Sequence, residues 1–204
     1  HIVASNRDPK VVWHAPTKAW IMTLFKDGNV YAFFSSPDLK RWTHLHDVTV
    51  AGCGECPDFF EMPVDGDPKK TKWVWTAANG HYLVGSFDGK RFTAETGPHR
   101  ADWGGNYYAV QTYGDVPPPD GRRIQIAWMN GGKYPNMPFN QQMSFPCELR
   151  LRTFPEGLRI CRLPVKEIET IHEKEVAWAG RTLKPGENLL AGISGELFDI
   201  RAEV

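Results

Sequence analysis

The sequence predicts an all-β fold assembled from propeller blades. Three observations carry this. Helical periodicity is nearly absent before residue 165. Short alternating or aromatic-rich runs follow one another, divided by turn signals at regular spacing. One stretch then recurs: Asp38-Leu39-Lys40-Arg41-Trp42-Thr43 matches Asp88-Gly89-Lys90-Arg91-Phe92-Thr93 at a constant offset of 50 (38 to 88, 43 to 93). A period near 50 with about four strands per unit is the signature of propeller blades.

The elements follow in order. Lys10–Trp13, Trp20–Phe25 and Val30–Phe34 are expected strands, with Lys26-Asp27-Gly28-Asn29 as the turn between the last two. Lys72–Thr76 and Tyr82–Phe87 come next, flanked by Val64-Asp65-Gly66-Asp67 and Phe87-Asp88-Gly89-Lys90. Tyr107–Tyr113, Arg123–Met129, Glu148–Thr153 and Leu158–Arg162 complete the series, with turns at Pro119-Asp120-Gly121 and Pro155-Glu156-Gly157. Asp8-Pro9 and Asp58 stand at the same offset of 50 (8 to 58), so they should open equivalent strands near the propeller axis. This partial propeller is assigned residues 1–164. In 165–174, apolar Val165, Ile168 and Ile171 suit one or two helical turns or an extended linker. In 175–204, Leu183–Leu190 and Glu196–Val204 are expected as strands of a second unit. About 30 residues are too few for a free-standing domain, so this unit reads as the beginning of a β-sandwich.

Composition excludes several function classes. Lys+Arg and Asp+Glu both total 24 in 204 residues, leaving no net charge. A nucleic-acid surface normally leaves a basic excess, so neither nucleic acid nor a polybasic membrane patch is expected. No apolar run approaches the ~20 residues of a membrane span. The chain opens at His1-Ile2-Val3, already within structured-looking sequence and without a signal peptide, and is read as a fragment. Most of the eight Trp, six Tyr and eleven Phe should pack between sheets, with a minority free to stack on sugar rings. Cys53-Gly54-Glu55-Cys56 has half of a zinc spacing, but Cys147 and Cys161 supply no second pair, and His44-x-His46 has no third ligand. No metal or cofactor is therefore expected, and the cysteines read as free buried thiols ahead of a lone disulfide.

Two motifs carry the chemistry. Arg7-Asp8-Pro9 and Glu55-Cys56-Pro57-Asp58 each set a carboxylate beside a proline. Cleavage at an acetal carbon needs one group to protonate the leaving oxygen and another to stabilise the cationic sugar. Arg7 beside Asp8 suggests that Asp8 stays ionised, leaving Glu55 to be tuned upward as the acid. Taken alone, the chemistry also permits Asp8 as nucleophile, or a plain structural Arg7–Asp8 pair. The blade arrangement predicts that Asp8 and Glu55 point into one cavity near the axis, with Trp128 on its wall.

These motifs resemble glycoside hydrolase family 32, the levanases, inulinases and invertases. The resemblance rests on Arg7-Asp8-Pro9-Lys10-Val11, Ser36-Pro37-Asp38-Leu39-Lys40-Arg41-Trp42, Glu55-Cys56-Pro57-Asp58-Phe59-Phe60-Glu61 and Gly85-Ser86-Phe87-Asp88-Gly89. Asn106-Tyr107-Tyr108-Ala109, Gly121-Arg122-Arg123-Ile124, Ala127-Trp128-Met129 and Phe145-Pro146-Cys147-Glu148-Leu149 continue it in the right order. It implies a five-bladed propeller followed by a β-sandwich, and retaining cleavage of β-fructosyl bonds in fructans, fructo-oligosaccharides or sucrose. It also implies roles: Glu55 the acid/base, Asp8 the transition-state stabiliser, Arg7 its support, and Trp128 and Tyr108 the fructose-site walls. The family's nucleophile lies in a Trp-Met-Asn-Asp-Pro-Asn-Gly motif that this sequence lacks. The first blade and part of the second therefore read as missing, and the fragment as inactive alone. Asn106 and Cys147 also depart from an aspartate and an arginine common in the family. A secreted or periplasmic parent is expected ahead of a cytoplasmic one. The open side of the propeller should expose apolar faces and favour oligomers. Alternative readings are a non-catalytic fructan-binding relic, a five-bladed arabinan or xylan hydrolase, and, on the repeat alone, a protein-interaction propeller.

Overall fold

A computed structural model describes residues 6–203. The His1-Ile2-Val3 start and Val204 lie outside the described residues. The chain divides into two units, His1–Ile168 and Glu169–Val204.

The first unit is all-β. Strands β1 (Arg7–His14), β2 (Ala19–Asp27), β3 (Val30–Ser36) and β4 (Thr43–Thr49) form one four-stranded antiparallel meander. A second meander follows in β5 (Asp58–Val64), β6 (Asp67–Thr76), β7 (His81–Phe87) and β8 (Phe92–Arg100). The third is built from β9 (Tyr108–Thr112), β10 (Arg123–Met129), β12 (Cys147–Phe154) and β13 (Gly157–Pro164), with the two-residue β11 (Gln142–Met143) also on β10. These are blades of a β-propeller. The second and third are joined through a parallel bridge, Leu151 to Val64.

The repeat legible in the sequence is a repeated corner. At the end of β3, the Asp38 carboxylate accepts the backbone N–H groups of Lys40 (3.0 Å) and Arg41 (2.9 Å). At the end of β7, Asp88 accepts those of Lys90 (2.8 Å) and Arg91 (2.7 Å). These donors hold both carboxyls below their ordinary range, with the Arg41 and Arg91 amides the largest cause in each case. Both corners turn through a left-handed residue, Leu39 (φ 62°) in one and Gly89 (φ 90°) in the other. Gly89 is required on two counts, because a Cβ there would also lie 2.3 Å from Thr17 Cγ2.

Aromatic packing between blades supplies the core. Ile21, Tyr31 and Phe33 of the first blade meet Phe59, Trp75, Phe87 and Phe92 of the second, all buried. Phe33 stands edge-on to Phe59 at 5.0 Å, and Phe59 stacks on Trp73 at 4.5 Å. Phe60, Met62, Val74 and Val84 then pack on Leu149 and Leu151 of the third blade. Met22, Leu24, Ala32 and Phe34, on another face of the first blade, form a buried cluster rather than an exposed face. Trp103, Met137, Phe139, Met143 and Phe145 are instead exposed.

The second unit departs from expectation. Lys166–Ile171 is a 3₁₀ helix, consistent with the helical turns expected there. Among the described residues no strand follows Pro164, so Leu183–Leu190 and 196–203 are turns and irregular chain. Leu183, Leu190, Leu197, Phe198 and Ile200 are exposed. Strands without a facing sheet have no apolar burial to hold them. All four cysteines are free thiols, with only Cys53 fully buried.

Candidate active site

Three backbone distortions aim the candidate side chains at one point. On β1, Arg7 pairs with Phe25 and Lys10 with Thr23, so Asp8 and Pro9 together oppose a single residue. This is a β-bulge, placed where Pro9 has no N–H to give the ladder, and Asp8 takes φ 58° within it. On β9, Gln111 pairs with Ile126 but Tyr108 with Trp128, which makes a second bulge, with Ala109 at φ 50°. Between β4 and β5, Cys56 is left-handed as well, at φ 50°. Residues with a Cβ pay roughly 1–2 kcal/mol in this region, and such strain concentrates at functional sites.

The result is a convergent polar group. The Arg7 guanidinium donates through Nε to Glu55 Oε1 at 2.8 Å, with a second nitrogen at 2.7 Å. The same Nε lies 3.9 Å from Asp8 Oδ2. Tyr108 donates its hydroxyl to the other oxygen of Glu55, Oε2, at 2.9 Å. Asp8 Oδ2 accepts the Cys56 backbone N–H at 3.1 Å, with the Cys56 thiol at 3.7 Å. Arg7 lies over the Phe25 ring, 4.6 Å from its centre. Gly54 leaves room for this packing, since a Cβ there would meet the Tyr108 hydroxyl at 2.7 Å. Trp128 is the register partner of Tyr108 and donates its indole N–H to Gln141 Oε1 at 2.7 Å. It stays 37% exposed.

One expectation is corrected. Arg7 was expected to hold Asp8 ionised and leave Glu55 free to rise. Its close contact is with Glu55, whose carboxyl is held below the ordinary value by Arg7 first and Tyr108 second. Arg7 is raised in turn, chiefly by the same bond. Sequence adjacency misled here, because neighbours on a strand face opposite sides and only the bulge brings Asp8 near. The Asp8 and Glu55 carboxylates stand beside the same guanidinium, that of Arg7. Both carboxylates are half-buried, with side chains 30% exposed at Asp8 and 35% at Glu55. Two concavities in the third blade are lined by other residues: Asn130, Tyr134 and Gln141 in one, Asn106, Tyr107, Phe145 and Arg162 in the other.

Tyr108 ties Glu55 to the third blade, and two residues absent from the expected site extend that tie. Gln111 donates from Nε2 to the carbonyls of Cys56 (3.0 Å) and Pro57 (3.3 Å). Asp58, fully buried, accepts the Thr112 backbone N–H at 2.6 Å, with Lys10 Nζ 3.6 Å away. Lys10 also donates to the Thr112 carbonyl at 2.5 Å. Contacts spanning 48 to 102 residues leave no local signal in the sequence.

A pair of carboxylates, one held by an arginine and a tyrosine, thus stands at the start of β1 and just before β5. Residues 2–163 match the model of the glycosyl hydrolases family 32 N-terminal domain, and the chain belongs to that family. It is 38% identical over 220 residues to a levanase of Bacillus subtilis (strain 168), covering 97% of this chain and 32% of the levanase. It is 35% identical over 176 residues to invertase 1 of Saccharomyces cerevisiae, covering 74% of this chain and 33% of the invertase. The chain thus spans about a third of the length of these relatives. The crystal structure of an exo-inulinase from Aspergillus awamori superposes with a TM-score of 0.72 at 26% identity, over 85% of this chain and 38% of that one.

Proposed function

We propose that this chain is part of a retaining β-fructosidase acting on fructans, fructo-oligosaccharides or sucrose. The observation that carries the reading is the Arg7–Glu55–Tyr108 group with Asp8 beside it, in a chain whose relatives include a levanase and an invertase. Glu55 protonates the leaving oxygen and then, as the carboxylate, draws a proton from water. Asp8 binds fructose hydroxyls where positive charge develops, an interaction that strengthens toward the transition state. Arg7 orients both carboxylates, and Tyr108 and Trp128 flank the sugar. The unliganded pair with Arg7 keeps Glu55 ionised, which suits the water-activating half of the cycle. A third carboxylate brought close would raise Glu55 by like-charge repulsion and supply the proton needed first.

The nucleophile motif of the family is not among these 204 residues, so turnover requires a carboxylate from outside them. General acid catalysis alone is worth roughly 10²–10⁴-fold, well below a glycosidase's total. We assign the second unit to the opening of the family's sandwich, and the ring to five blades. Polymeric fructans do not cross membranes, which favours secretion of the parent, and no described helix is long and apolar enough to cross one. The test is to assay the 204-residue chain and the full-length natural protein on sucrose, inulin and levan. Turnover confined to the full-length protein, and lost in its Glu55→Gln variant, is expected. Ordinary turnover by the 204-residue chain would move the nucleophile to Asp8. Fructan binding without turnover by the full-length protein would favour the relic.

A further inference from the structure

We propose that Gln111 is a positioning residue for Glu55, acting through the backbone of the Glu55–Asp58 turn. The proposal rests on Glu55 being the acid/base. In a regular strand successive carbonyls point to opposite sides. Here the left-handed Cys56 turns two consecutive carbonyls, those of Cys56 and Pro57, toward one amide nitrogen. That nitrogen carries two N–H groups, one for each carbonyl, so a single side chain can satisfy both. Gln111 comes from the strand that also carries Tyr108, three residues earlier, and Thr112, the residue after it.

β9 therefore holds the turn at successive points. Tyr108 takes the Glu55 carboxylate, Gln111 the Cys56 and Pro57 carbonyls, and the Thr112 N–H the Asp58 carboxylate. From behind, the Ala78 N–H binds the Glu55 carbonyl at 2.7 Å. Loss of the Gln111 amide leaves two adjacent carbonyls pointing the same way without this donor. The turn then relaxes, and the direction of the preceding residue, Glu55, relaxes with it. A displacement of about 1 Å at a reacting group costs on the order of 100-fold in rate.

The experiment uses the full-length natural protein with Gln111→Met, which keeps the length and removes the donors, and Gln111→Glu, which keeps the shape and places oxygens against oxygens. Each is assayed on sucrose and on an aryl β-fructoside whose phenol leaves with little need of a proton. The expected result is a fall in kcat of about 100-fold on sucrose, a much smaller fall on the aryl fructoside, and nearly unchanged KM. Thermal melting of each variant should stay close to that of the parent. An equal loss on both substrates with a lowered Tm, or no loss on either, would overturn the proposal. Glu55→Gln is run alongside. If it spares sucrose hydrolysis, the acid/base reading itself fails; if it reproduces the leaving-group dependence and the Gln111 variants do not, only the positioning role fails.

Discussion

Asp8 and Asp58 occupy the same place in successive blades and meet opposite fates. Each sends its carboxylate to a backbone N–H carried forward in the chain: Asp8 to Cys56, Asp58 to Thr112. Each thereby stitches its blade to the next. Asp58 is fully buried, with Lys10 as counter-charge, and its other oxygen takes the Phe59 N–H at 2.8 Å. Asp8 sits on a bulge, 30% exposed, beside Arg7 and Glu55. One repeat position thus provides a joint in one blade and a candidate catalytic group in its neighbour. The difference comes from local backbone: a bulge with proline turns Asp8 outward, while a regular strand start keeps Asp58 in.

Substitution should separate the two. Asp58→Asn leaves the Lys10 ammonium without its counter-charge, and breaking a buried pair typically costs about 3–5 kcal/mol. Urea unfolding of the 204-residue chain should show that loss, and a midpoint unchanged from the parent would reduce Asp58 to a bystander. Asp8→Asn should leave unfolding nearly untouched. In the full-length protein it should lower kcat by about 10²- to 10³-fold, the range for losing one group that stabilises developing charge. Matching effects of both variants on stability would erase the distinction.

Arg7→Met sharpens the Asp8 side further. It frees Glu55, so the Glu55 carboxyl should rise and stay protonated to higher pH, moving the alkaline limb of kcat/KM upward. A limb that stays in place would show that Arg7 does not control Glu55 in the working site.

The joints between blades carry a pH dependence of their own. His46 accepts the Phe92 N–H (3.2 Å) and faces the Lys90 carbonyl (3.1 Å), a pattern only the neutral ring can satisfy. Burial lowers its pKa, as does nearby Arg91, while Asp47 opposes. Burial likewise lowers His14, His81 and His99. Folded values below the unfolded 6.5 mean that the unfolded chain binds more protons as pH falls. Stability is therefore full above about pH 6.5 and declines as pH drops toward the folded values. Melting measured from pH 7.5 to pH 5.5 should show the decline, and His46→Gln, which cannot take up the proton, should flatten part of it.

The smallest effect is expected at the repeated corner. Leu39→Gly relieves a left-handed leucine at the position where the next blade already has glycine, and should stabilise by less than about 1 kcal/mol, since glycine also loosens the unfolded chain. Gly89→Ala, blocked by Thr17 and by its φ, should destabilise by about 1–3 kcal/mol. Gains at both positions would show that the corners are not equivalent.

Much of this was legible beforehand. Most inner and middle strands were visible because they alternate or run apolar, and Arg123–Met129 agrees with β10 at both ends, while β5 was marked only at its start by the Asp8/Asp58 offset. The outer strands β4 and β8 were missing from the expected runs because most of their residues face water and carry no pattern. Glu55, Asp8 and Tyr108 were visible as a family motif. The partner of Arg7 and the role of Gln111 were not, because both depend on left-handed residues, Asp8 and Cys56, that no propensity anticipates. The strands expected after Glu175 came from apolar pattern alone, which needs an opposing sheet to become structure.

The left-handed conformations at Asp8, Cys56 and Ala109 bear on how this protein can change over generations. Glycine would relieve each of them, yet at residue 8 it would delete the carboxylate and at residue 56 the thiol that touches it. Selection for robustness alone would therefore drift toward losing the candidate carboxylate and its thiol neighbour. Ala109 differs, since glycine there removes only a methyl group. It is the place where a lineage under heat stress can gain ground without losing a polar group of the candidate site.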